Sequence, residues 1–82
     1  MKIMYFVYML QCRDKSIYTG ITTDVKRRLT EHKAGIGSAY TRAHGAVRML
    51  HAERFKTRSA ALKREAEIKG WPRNKKLDLI HR

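Results

Sequence analysis

The chain is poor in cysteine, proline and acidic side chains. Its 82 residues include one Cys (Cys12), one Pro (Pro72) and only 7 Asp plus Glu. A lone cysteine excludes an intrachain disulfide framework and a zinc centre built on cysteine pairs. It suits a reducing compartment, and the expected location is the cytoplasm, beside the nucleoid. The longest unbroken apolar run, Ile3 to Leu10, falls well short of the roughly 18 residues that a membrane-spanning helix needs. No small-residue cleavage site follows it, so a secretory signal is not expected. Repeats, low-complexity tracts and Pro/Gly-rich linkers are absent. The length allows one domain, expected over residues 1–82, with a small core that must pack well.

What the chain has in excess is positive charge. Nineteen Lys plus Arg give a formal net charge of +12. A basic excess of this size makes a polyanion the first partner to consider. With 43% hydrophobic residues in ordered runs, disorder is excluded as the reason for it. The charge is unevenly spread. Residues 1–25 carry three Lys or Arg against two Asp, a net +1, and the remaining +11 lies downstream.

Ile3 to Leu10 is short and rich in β-branched and aromatic residues, which predicts a buried central strand. Arg13-Asp14-Lys15-Ser16 is a polar turn, and Ile17 to Ile21 a second strand, so the two form an antiparallel hairpin. On the second strand Tyr18 and Gly20 share one face. Thr22, Thr23 and Asp24 are candidate caps for a helix over Val25 to Ala34, with Val25 and Leu29 as its apolar stripe and Gly35 as its stop. Ile36 to Gly45 has no periodicity and reads as a loop or an irregular short helix. Val47 to Phe55 predicts a third strand. Ser59 is a plausible cap for a helix through Lys69, stopped by Gly70, and Pro72 can open a last short helix. The fold class is α+β, a three-stranded antiparallel sheet flanked by helices.

Some residues do not suit a purely structural role. With Leu62 as the origin on the Ser59–Lys69 helix, Glu65 falls at about −60°, in the middle of an apolar arc that runs from Ile68 to Ala66, while Glu67 faces away. A carboxylate turned toward a core must be paired, protonated or bound to a cation. The bland account is a boundary Glu paired with a Lys or Arg; the other is a metal-binding or catalytic carboxylate. On the first helix Arg28 and His32 lie four apart and flank the stripe, whereas Arg27 faces out and can pair with Glu31. A snorkelling Arg and a gap-filling His account for the pair structurally. A guanidinium for phosphate charge and an imidazole for proton handling account for it functionally. Tyr8 and Tyr18 are ordinary core residues taken singly, and Gly20 leaves room for a close approach. Together the polar groups make a candidate phosphodiesterase site: a carboxylate for a divalent metal, an Arg for the phosphorane, Tyr or His for protons. An unperturbed Tyr has a pKa of about 10, and a metal together with Arg28 is expected to lower it.

These residues resemble a known family. Phe6-Val7-Tyr8, followed by Tyr18-Thr19-Gly20, is similar to the paired motif of the GIY-YIG nuclease superfamily. Gly20 through His32 resembles its glycine-to-arginine segment, and Leu62 to Lys69 its helix with the catalytic glutamate. The resemblance covers essentially the whole chain and is strongest to the small bacterial stand-alone members, whose loop Tyr40-Thr41-Arg42 also resembles. Phe6, Val7 and Thr19 depart from the name-giving motif at scaffold positions. The resemblance implies a DNA endonuclease using one divalent metal, Mg2+ or Mn2+. Glu65 would be the only protein ligand of that metal, and Arg28 would stabilise charge on the scissile phosphate. Tyr18 would activate or orient the attacking water, with Tyr8 in a supporting hydrogen bond and His32 aiding proton transfer. Gly20, Lys26, Arg27, Lys33, Tyr40 and Arg42 are expected to face the nucleic acid. At this length no separate module for choosing DNA is expected, so substrate choice would rest on DNA structure or on a protein partner.

Two other functions suit the composition. A nucleic-acid-binding module without catalysis has the same charge and fold class, but gives no reason for a carboxylate on an apolar face. An RNA-binding or ribosome-associated adaptor would stack bases on exposed sheet aromatics, whereas Tyr5, Phe6 and Tyr8 sit in a run suited to burial. Membrane-surface binding is disfavoured because no helix joins a basic face to a large aromatic one.

Overall fold

A computed structural model describes residues 2–82. Strand β1 (Tyr5–Cys12) is central in a sheet of order β2-β1-β3, antiparallel to both β2 (Ile17–Thr22) and β3 (Ala46–Phe55). Helices α1 (Val25–Lys33) and α2 (Ala39–His44) connect β2 to β3, and α3 (Arg58–Lys69) and α4 (Arg73–Ile80) follow. The expected α+β sandwich is the observed one. Among the described residues no helix is long and apolar enough to cross a membrane.

Alternation along β1 divides the interior. Val7 and Met9 point to one face of the sheet and form the apolar core with Ala61, Ile68 and Leu79 of α3 and α4. Tyr8, Leu10 and Cys12 point to the other face, toward α1 and α2. Ile17 and Ile21 of β2 pack on the first face. Tyr18 and Gly20 therefore share the second face with Tyr8, and Gly20 is the residue directly opposite it.

Several boundaries differ from the sequence-based expectation. The first strand runs two residues later, because Ile3 is 64% exposed and pairs with nothing. The stretch after Gly35 contains a true helix, α2, capped by the Ser38 side chain accepting from the Thr41 amide. Helix α3 is capped by Thr57, whose hydroxyl accepts from the Ala60 amide, and not by Ser59, which lies inside it. Its buried side centres on Ala61 and Ile68. The expected apolar arc is thus rotated: Ala66 is exposed and Glu65 stands at the border of the buried side instead of its middle. On α1 the fully buried residue is His32, while Val25 and Leu29 are only half-buried. Tyr8 is buried as expected, but Tyr5 and Phe6 are half-buried. Gly35, at φ +81°, ends α1, with the Ile36 amide donating back to the Glu31 carbonyl.

Candidate active site

The second face of the sheet gathers four of the expected residues. Tyr8 is 1% exposed, and its Oη lies 2.7 Å from His32 Nε2. His32, also 1% exposed, has its other ring nitrogen 2.6 Å from Thr41 Oγ1. Arg28 Nε donates to Tyr8 Oη at 3.4 Å. A guanidinium can only donate, so Tyr8 accepts from it and directs its own proton at His32 Nε2. Nδ1–H then donates to Thr41, and Thr41 in turn meets Ser38 Oγ at 2.9 Å and the Ser38 carbonyl at 3.4 Å. Every partner in this buried chain is satisfied.

The ring of Tyr18 packs edge-on to His32 at 5.1 Å between centroids, 6.3 Å from Tyr8 and 5.7 Å from Tyr40. Among the described residues its hydroxyl has no hydrogen-bond partner. Gly20 is what lets the tyrosines meet. A Cβ there would stand 2.5 Å from Tyr8 Oη, closer than atoms tolerate, and a tight 3.1 Å from Tyr18 Cε2. Arg28 is fixed by two further bonds, Nη1 to Glu31 at 3.0 Å and Nη2 to the Gly37 carbonyl at 2.8 Å. Three of its five N–H donors are used, leaving two for a ligand.

Burial decides the acid–base character of the cluster. Desolvation pushes the Tyr8 hydroxyl up to about 12, outweighing the opposing pull of the Arg28 hydrogen bond. The expected lowering by Arg28 is present but loses to burial. His32 is shifted down, first by burial and then by the Arg28 charge, so its imidazole is neutral at neutral pH.

Glu65 approaches from α3, on the opposite side of the sheet. Its field is one of the influences that raise Tyr8, and its side chain is 16% exposed. Its partner is Lys69 Nζ at 3.3 Å, one turn on, and that ammonium is 53% exposed. The pairing foreseen for a boundary carboxylate is therefore present. Among the described residues no group of three or more His, Cys, Asp or Glu forms a metal-holding cluster. A single carboxylate still fits magnesium, which keeps several waters and takes one or two carboxylates plus substrate phosphates. Lys69 would have to swing away, as an exposed ion pair worth about 0–1 kcal/mol allows.

Lys26, Arg27, Lys33 and Arg42 are exposed, as expected of groups that face a polyanion. Arg27 lies 3.9 Å from Glu31, whose closer partner is Arg28. Tyr40 is 39% exposed and stacks on His44 at 4.1 Å, and His44 Nδ1 meets Asp14 Oδ2 at 2.5 Å. Sequence reasoning passed over Thr41, Ser38, Gly37, His44 and Asp14 as site components. All but Asp14 lie in or next to the aperiodic α2 segment, where a Ser three residues before a Thr was the one local signal, a helix cap.

A basic α+β fold holds two tyrosines, an arginine and a histidine in one cluster, and the family to which the chain belongs implies a nuclease-type fold and a nucleic-acid substrate. The chain belongs to the GIY-YIG catalytic domain family, whose model matches residues 4–78. It is 55% identical over 75 residues to a UPF0213 protein of Haloquadratum walsbyi, covering 92% of this chain and 84% of that one. A UPF0213 protein of Natronomonas pharaonis is 50% identical over 76 residues, covering 93% and 89%. The solution NMR structure of a UPF0213 protein from Bacillus halodurans superposes with a TM-score of 0.62 at 41% identity, covering 95% of this chain and 83% of that one. Nucleases of the family generally depend on a divalent metal.

Proposed function

We propose that the protein is a Mg2+- or Mn2+-dependent endonuclease that hydrolyses phosphodiester bonds in DNA with low sequence preference. RNA is a further substrate class. Cytoplasmic, nucleoid-associated repair or processing is the setting, with a protein partner supplying substrate choice. The observation that carries this reading is the convergence of Tyr8, Tyr18, Arg28 and His32 around Gly20, with Glu65 in electrostatic reach.

A divalent cation held by Glu65 would neutralise charge developing on the scissile phosphate. The chain's own groups divide the remaining work. Arg28 offers its two unused N–H donors to the phosphate oxygens, held in place by Glu31 and the Gly37 carbonyl. Tyr18, with a free hydroxyl at the cluster's edge, orients the attacking water. Tyr8 is too deeply buried for that task and instead holds Arg28 and His32 together. His32, neutral and hydrogen-bonded on both ring nitrogens, accepts from the Tyr8 hydroxyl and donates to Thr41, which fixes Tyr8 and through it Arg28.

A second reading, binding without cleavage, is favoured by the Glu65–Lys69 ion pair, which occupies the one candidate metal carboxylate. One experiment separates the two. Labelled linear, nicked, flap and junction DNA are incubated with the protein, with and without magnesium, beside Glu65→Ala, Arg28→Ala and Glu67→Ala. The nuclease reading expects metal-dependent product that the first two variants abolish. The Glu67 side chain is 55% exposed and its carboxylate pairs with Arg64, away from the cluster, so its variant should cut like wild type. No product on any substrate would leave the binding module.

A further inference from the structure

A groove of about 430 Å³ opens on the same side of the sheet as the tyrosines, between the end of α1, helix α2 and the start of β3. Its floor includes His32 and Thr41, two adjacent buried members of the hydrogen-bond chain described above. Three cations line it, Arg13, Lys33 and Arg42, and no carboxylate does. Glu31, Glu53, Glu65 and Glu67 are each paired with another Lys or Arg, and Asp14 with His44. Among the described residues Arg13, Lys33 and Arg42 have no acidic partner within 4.0 Å.

Two of the cations are set in place by backbone. The Arg13 amide donates to both the His44 and Gly45 carbonyls, at 3.2 and 2.8 Å. Its guanidinium lies across Gly45, in space that a Cβ would occupy. The Arg42 side chain lies against Gly35, its Cγ 3.6 Å from where a Cβ would stand, an ordinary van der Waals contact. Both glycines have positive φ. Like charges gathered in a concavity repel one another, and an anion placed among them relieves that repulsion.

We infer that this groove is a second phosphate site, which seats a backbone phosphate of the nucleic-acid strand away from the bond that is cut. The volume suits a phosphate with its sugar, within the usual range of ligand pockets. The shared His32 wall sets this phosphate beside the scissile one, so the groove fixes the strand's path across the tyrosine cluster. The inference rests on the nucleic-acid reading above and adds Arg13, which lies outside the residues expected from sequence to meet the strand.

The test uses Glu65→Gln protein, which binds without cutting, and a fluorescent single-stranded oligonucleotide. Affinity is followed by anisotropy from low to moderate salt. On a single strand each phosphate contact contributes about 0.7 to the log–log salt slope. Removing Arg13 and Arg42 together, as R13A/R42A, should weaken binding several-fold and flatten the slope by about one to two. R13K/R42K, which keeps both charges, should retain most of the slope, and so should Arg73→Ala, on α4 across the sheet. If R13A/R42A folds, by circular dichroism, and keeps the parental slope and affinity, the groove is not a phosphate site, while the nuclease reading stands. Should it fail to fold, R13K/R42K decides alongside single R13A and R42A, whose slopes must each fall by about 0.7. If the Glu65→Gln protein binds no oligonucleotide at all, both readings fall.

Discussion

Tyr8 Oη and His32 Nε2, 24 residues apart in the chain, face each other at 2.7 Å with both side chains sealed from solvent. The bond joins β1 to α1 and is continued by Arg28 on one side and Thr41 on the other. Tyr8→Phe would leave His32 Nε2 buried without its donor. An orphaned buried group costs about 1–3 kcal/mol, so the variant should unfold at a lower urea concentration. Because Tyr8 also anchors Arg28, cleavage should fall as well, read as product per minute on a nicked plasmid.

The same burial makes stability depend on pH. The folded protein holds His32 with its pKa shifted down, first by desolvation, whereas the unfolded chain titrates it near 6.5. Below that value the unfolded state binds the extra proton more readily, so stability falls with falling pH. His32's contribution is whole above about pH 6.5 and is lost as pH drops from there toward the folded pKa. Urea midpoints of wild type and His32→Gln, compared across pH 5 to 8, isolate the effect. Wild type should lose stability toward pH 5 more steeply than the variant, and parallel curves would contradict the assignment.

Glu65 and Lys69 give a third test. In their ion pair at 3.3 Å the ammonium neutralises the carboxylate that the proposed metal would need. Lys69→Ala removes that competitor at an exposed position, so the magnesium concentration for half-maximal cleavage should drop several-fold with the fold intact. A rise would mean that Lys69 holds the carboxylate in its working orientation.

Much of this was legible in the chain because strands and helices announce themselves by periodicity and caps. The alternation in β2 put Tyr18 and Gly20 on one face, and a four-residue spacing put Arg28 beside His32; that Tyr8 joins them follows from the register that pairs it with Gly20. Two things were not legible. A helical angle measured from Leu62 cannot say where the sheet lies, so Glu65 was set at the centre of the buried arc although α3 packs through Ala61 and Ile68. Helix α2 has no apolar stripe to betray it. Its role comes from Thr41, which closes the hydrogen-bond chain through a contact that exists only once α1 and α2 are side by side.

Gly20 shows how tightly the cluster is drawn. A methyl group there would meet Tyr8 Oη at 2.5 Å and Tyr8 Cζ at 2.7 Å, with Tyr18 on its other side. Neither tyrosine can retreat easily, since Tyr8 is buried and bonded at its tip. Gly20→Ala should therefore destabilise by about 1–3 kcal/mol, the usual range for overpacking, and reduce cleavage by displacing both rings. Thermal unfolding and the plasmid assay read the two effects separately.

Thr19, the neighbour of Gly20 in β2, presents the reverse case. It points to the apolar face of the sheet, is 3% exposed, and its Oγ1 is the one buried side-chain polar atom without a partner among the described residues. Valine has nearly the same shape without the hydroxyl and favours strands. Replacing an unsatisfied buried hydroxyl by a methyl removes its desolvation cost. Thr19→Val should stabilise the fold by about 1 kcal/mol, seen as a higher urea midpoint with an unchanged denaturant slope. Because the side chain faces away from the tyrosines, metal-dependent cleavage should match wild type. A lower midpoint would mean that Oγ1 has a partner in solution, a bound water, that the valine cannot hold.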